Sequence, residues 1–173
     1  LHLPAVLSLG IVCQLGQIVF LREFLMVFHG NELSIGIILS AWMIWVGVGS
    51  RLGAVIVERL NRPRDLVFVT AVATLCMLPV TVVLIRALRG FFDVLPGAYL
   101  SFLDMAISCF ILMGPACFVL GMQFVLLARV WRENDRARDT AGAAKTYIGE
   151  AAGHAVGGIL FTFLLVHHLN SFQ

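Results

Sequence analysis

Residues 17–50 read QIVFLREFLMVFHGNELSIGIILSAWMIWVGVGS. On both sides of HGNEL, residues 29–33, the chain is apolar over lengths that match the roughly 20 residues a helix needs to cross about 30 Å of hydrocarbon. The stretch therefore predicts two membrane helices joined by a tight turn. The turn chemistry agrees: Gly30 can take the left-handed conformation that ends one helix, Asn31 can cap the next, and Glu32 suits the positive end of its dipole.

The rest of the chain extends that reading. Of 173 residues, 60% are hydrophobic and only 13% charged, against about 25% charged in a soluble chain, which makes this an integral membrane protein. A net charge of +2, with arginines confined to a few segments, excludes a nucleic-acid-binding face. Cys13, Cys76, Cys109 and Cys117 all lie in apolar segments and form no C-x-x-C pair. They read as small packing residues, so neither a disulfide framework nor a metal site is expected. The first span lacks a small-residue cleavage pattern, so no signal peptide is expected.

Apolar runs predict an all-α polytopic bundle forming a single domain, with about five transmembrane helices over roughly 4–28, 33–57, 66–85, 98–128 and 147–166. Gly114-Pro115 should kink the fourth, because proline has no amide hydrogen to donate. Arg59, Arg62 and Arg64 follow the second span; Arg129, Arg132, Arg136, Arg138 and Lys145 follow the fourth. The opposite side has Arg86 and Arg89, beyond the expected end of the third span, and Arg22 within the first. Positive charge is retained in the cytoplasm, so the amino end is expected inside and the carboxyl end outside. RVWRENDRARDTAGAAK, within 129–146, is then a cytoplasmic connector, in a multi-pass protein of a bacterial-type cell inner membrane.

Several polar residues lie within the apolar spans. A charged side chain at a helix centre costs about 2.5–3.5 kcal/mol on translocon scales, and adjacent helical residues do not face each other. Arg22 and Glu23 therefore each need a partner. Glu32 and Asp104 are the acids expected near Arg22, and the group reads either as a structural ion pair or as a binding site. Gln14 and Gln17 share a face with Gly10 and suit a polar seam between helices. Trp42, Trp45, Gly49 and Gly53 align at helical spacing, the glycines for close packing. GVGSRLG, residues 47–53, imitates a dinucleotide loop, but no strand precedes it.

The fifth span carries two stripes. Gly149, Gly153 and Gly157 would let another backbone come into contact. Tyr147, Glu150, His154 and Gly158, at i, i+3, i+7 and i+11, form a polar face that reads either as an interhelical hydrogen-bond network or as the wall of a cavity or ligand site.

With these residues, the chain resembles the membrane domain of integral-membrane spermidine synthase-like proteins, relatives of the polyamine aminopropyltransferases. The resemblance is carried by Gln17, Arg22, Glu23, Gly30, Asn31, Glu32, Trp42, Gly49 and Ser50, and by Tyr147, Gly153, Gly157 and Gly158 in TYIGEAAGHAVGGILFTFLL. The sequence departs from the family at Gln123-Phe124, where a Phe-Pro is expected, and at His154, where a small residue is expected. The resemblance implies a membrane-embedded anchor or scaffold in a larger assembly with membrane lipid and other protein subunits. It implies no aminopropyl transfer by this chain alone, because that chemistry needs a doubly wound domain to hold its adenosyl substrate.

Two other readings stand beside it. A redox subunit would hold b-type haem or quinone. His154 lies 13 or 14 residues from His167 and His168, about 20 Å by helical rise, and His29 is placed to complete an outer pair. Part of a secondary transporter is the third reading; it would call for an internal repeat, and none is seen. Spans two and three, with GAVIVERLNRPR (53–64) between them, also resemble the cytoplasmic loop signature of major facilitator transporters, with the acidic residue displaced.

Overall fold

The structure, a computed structural model, describes residues 2–28, 32–58, 63–91, 101–134 and 139–165. All regular structure among them is helical: α1 (His2–Phe28), α2 (Glu32–Glu58), α3 (Pro63–Phe91), α4 (Phe102–Asn134) and α5 (Asp139–Leu160), the last continuing into a π-helical turn over Phe161–Leu165. Four helices contain stretches long and apolar enough to cross a membrane: Leu3–Phe28, Glu32–Glu58, Arg64–Leu88 and Phe102–Arg132.

The boundaries differ from the sequence expectation mainly in α3, α4 and the start of α5. α3 runs on to Phe91 and α4 to Asn134, so helix continues into polar ends that hydropathy alone places outside the spans. The expected connector over 129–146 is helical at 129–134 and 139–146. Both α3 and α4 pass through an internal proline, Pro79 and Pro115 respectively. α4 opens on a cap, with the Leu103 amide donating to Ser101 Oγ at 3.2 Å, and Asp104 in its first turn complements the helix dipole. Glu32 does the same in the first turn of α2. The turn residues His29, Gly30 and Asn31 lie outside the described residues.

Two helix pairs, α2 with α4 and α1 with α5, run parallel, as the order of their contacts requires. Along α2 and α4, Ser34 meets Met105, Trp45 meets Phe110, Gly49 meets Phe118 and Gly53 meets Met122. Along α1 and α5, Val6 meets Gly149, Gly10 meets Gly153 and Gln14 meets Gly157.

Both parallel pairs are built on glycine. A Cβ at Gly49 would collide with the Phe118 carbonyl, and one at Gly121 with the Val46 carbonyl. Between α1 and α5, a Cβ at Gly10 would strike the Glu150 carbonyl and one at Gly153 the Leu7 carbonyl. Small residues let backbones touch, and in a bilayer such contact supplies the packing attraction that lipid cannot undercut. Ser50, in the segment that imitates a dinucleotide loop, lies within α2 and donates its hydroxyl to the Gly121 carbonyl at 3.1 Å.

The interior is aromatic and aliphatic. Phe20, Phe24, Phe28, Ile38, Ile85 and Met113 are fully buried. Phe24 stacks on Phe28 at 5.4 Å between ring centroids, and Phe20 meets Trp42 edge-on at 6.1 Å. The outward faces are equally apolar, with Met43, Phe68, Leu75, Val83 and Ile111 all exposed. An apolar exterior of this extent is the surface a bilayer covers.

Candidate functional site

Among the described residues, three groups of polar side chains between helices bear on a candidate site. The first is an ion pair between α1 and α3. Arg86 donates from Nε and Nη2 to the two carboxylate oxygens of Glu23, both at 2.7 Å. Glu23 is buried, whereas the Arg86 side chain is half exposed. This is the forked geometry that holds a carboxylate most firmly. The partner of Glu23 is thus Arg86, which the sequence reading places beyond the end of the third span. The reason is the length of α3, which carries Arg86 one helical residue past the predicted end of that span and level with Glu23. Arg22 itself is exposed on the outside of α1, Glu32 is exposed and Asp104 half-buried.

The second place is the α3–α4 seam, where Thr74 Oγ1 donates to Gln123 Oε1 at 3.2 Å while also lying 2.9 Å from the Thr70 carbonyl. Both Thr74 and Gln123 are buried. Gln123 therefore has a hydrogen-bond partner across the seam.

The third place is the α1–α5 crossing, and it brings together three ligand-capable side chains. Cys13 from α1 and Glu150 and His154 from α5 place one ligand-capable atom each within 4.8 Å of one another. Glycine makes this possible: with Gly10 and Gly157 beside them, the two backbones are in contact, and short side chains from each helix reach the same point. Cys13 is buried; Glu150 and His154 are half-buried. His154 Nδ1 lies 2.9 Å from the Glu150 carbonyl oxygen. A carbonyl only accepts, so Nδ1 carries the proton and Nε2 holds the free lone pair.

Beside this cluster, Gln14, His154, Gly158 and Thr162 line a groove of about 490 Å³. The polar face expected from Tyr147, Glu150, His154 and Gly158 is thus divided. Glu150 and His154 turn toward α1, Tyr147 is exposed, and Gly158 borders open space. Gly149 and Gly157, with Gly153 between them, face α1, and Gly49 and Gly53 face α4.

Cys13 is the residue whose partnership the sequence did not suggest. Its spacing to the other cysteines carries no metal signature, and its ligand-capable neighbours are 137 and 141 positions away, as Glu150 and His154 show by their numbers. Of the expected haem ligands, His154 is in this cluster, while His29, His167 and His168 lie outside the described residues. Comparison with protein-family models, with curated proteins and with solved structures gives no match.

Proposed function

We propose that this chain is a membrane-embedded helical module that anchors or scaffolds a larger assembly, without catalysing a reaction alone. The observation that supports this reading best is the pair of glycine-built parallel crossings, α1 with α5 and α2 with α4. Backbones in contact leave no layer of side chains along which helices can slide. Such a bundle is suited to holding a position in the bilayer.

In this reading α5 with its π-helical turn is a fifth crossing, with Glu150 and His154 turned toward α1. The amino end lies in the cytoplasm, as the arginines after α2 and α4 favour, and the membrane is a cell inner membrane. The resemblance to spermidine synthase-like membrane domains supports a partner, or a further region, that carries a soluble synthase-type domain. The test is a pull-down of the tagged chain from its own membranes in mild detergent, repeated with Gly153→Leu. The reading requires a defined assembly with the native chain and its loss with the variant. A native chain that emerges alone contradicts it.

A further inference from the structure

We infer that Cys13, Glu150 and His154 form a binding site for a divalent transition-metal cation of the zinc class, which clamps α1 to α5. This inference stands apart from the scaffold reading, since a metal clamp is compatible with any function of the bundle.

The donor set selects the ion. One thiol sulfur, one imidazole nitrogen and one carboxylate oxygen, all within 4.8 Å of one another, make a mixed set of borderline softness. Zinc and its neighbours bind such sets, whereas magnesium and calcium call for oxygen throughout. With Zn–S of about 2.3 Å and Zn–N of about 2.0–2.1 Å, tetrahedral donors lie about 3.3–3.8 Å apart. Closing the present spacing takes a side-chain adjustment on the order of 1 Å. No helix has to move, because Gly10 and Gly153 already bring the backbones together.

Charge balance favours the same ion. Cys13 sits near the middle of α1, and Glu150 and His154 sit near the middle of α5. An acidic side chain at such a depth costs about 2.5–3.5 kcal/mol without compensation. A dication held by one thiolate, one carboxylate and one neutral imidazole gives a site with no net charge. Binding releases the thiol proton of Cys13, together with any proton on Glu150, to solvent.

The histidine is already oriented. Its Nδ1 proton is donated to the Glu150 carbonyl at 2.9 Å, which leaves Nε2 as the ligand nitrogen and supplies the outer hydrogen bond that metal-binding histidines use. Three protein ligands leave a fourth position open. His154 also borders a groove lined by Gln14 and Thr162, and water from that groove would fill the fourth position.

Cobalt(II) is a direct spectroscopic probe of such a site. The full chain, purified in detergent and stripped with a chelator, should bind one Co²⁺ per molecule, with a thiolate-to-metal charge-transfer band in the near ultraviolet and the visible bands of tetrahedral cobalt. Zn²⁺ should abolish both. Cys13→Ser should remove the charge-transfer band, and His154→Ala should weaken binding by at least the roughly 10–100-fold that loss of a supporting outer partner costs. Cys76→Ser, at an exposed cysteine, should change neither. Metal-free thermal unfolding of Cys13→Ser, equal to that of the native chain, separates ligand loss from misfolding; His154→Gln replaces His154→Ala if the latter does not fold. A native chain without the cobalt spectrum, or a Cys13→Ser chain that retains it, overturns the inference.

Discussion

Arg86 grips the carboxylate of Glu23 through two hydrogen bonds of 2.7 Å, tying the end of α3 to α1. Glu23 is buried, so its carboxylate relies on that guanidinium. Arg86→Ala should lower stability by about 1–3 kcal/mol, the cost of leaving a buried polar group without its partner. Replacing both, as Glu23→Leu with Arg86→Leu, should recover most of the loss, because no buried charge remains. Thermal unfolding of the two single variants and the double variant in detergent measures the coupling. Additive losses would show that the pair does not act as a unit.

Gly153 and Gly158 lie five residues apart on α5 and should respond differently to the same change. A Cβ at Gly153 meets Gly10 Cα at 2.9 Å and collides with the Leu7 carbonyl, whereas one at Gly158 finds nothing within 4 Å. Gly153→Ala should cost about 1–3 kcal/mol through overpacking, and Gly153→Leu should separate the helices. Gly158→Ala should stay within about 0.5 kcal/mol of the native chain. Equal melting curves for Gly153→Ala and Gly158→Ala would refute the backbone contact.

Trp45 spans the α2–α4 interface in a different way. Its ring covers Gly114, and its Nε1 donates to the Phe110 carbonyl at 2.8 Å, in the turn before Pro115. Trp45→Phe keeps most of the ring and removes the hydrogen bond, so a loss of about 0.5–1.5 kcal/mol is expected. Trp45→Ala should cost about 3–5 kcal/mol, as truncation also opens a cavity. If Trp45→Phe and Trp45→Ala melt alike, ring packing at Gly114 is not what holds this contact.

The proposed orientation is tested at the end of α4. A cysteine introduced at Arg132, in the last turn of that helix, should react with a membrane-impermeant maleimide only after the membrane is opened. Labelling in sealed cells would reverse the orientation.

How much of this was legible in the sequence depends on whether the information is local. The stripes of Gly49 and Gly53 and of Gly149, Gly153 and Gly157 are visible because helical periodicity puts residues four apart on one face. Which helix each stripe meets is not local. Nothing in their spacing pairs Gly153 with Gly10 or Gly49 with Phe118, and for the same reason Cys13 reads as packing until the fold sets it beside Glu150 and His154. The partner of Glu23 escaped for another reason. Hydropathy ends the third span at Ile85, which turns Arg86 into a loop charge, but backbone hydrogen bonding carries α3 on to Phe91 because a polar side chain at a membrane helix end does not interrupt the helix.

Native mass spectrometry of the assembly released from its own membrane tests the scaffold reading most directly. The account predicts this chain within a defined larger complex that includes a soluble domain, with no haem bound to the chain and with the complex lost in Gly153→Leu. A single chain alone, or a chain carrying a haem adduct that disappears on replacement of its histidines, would contradict it.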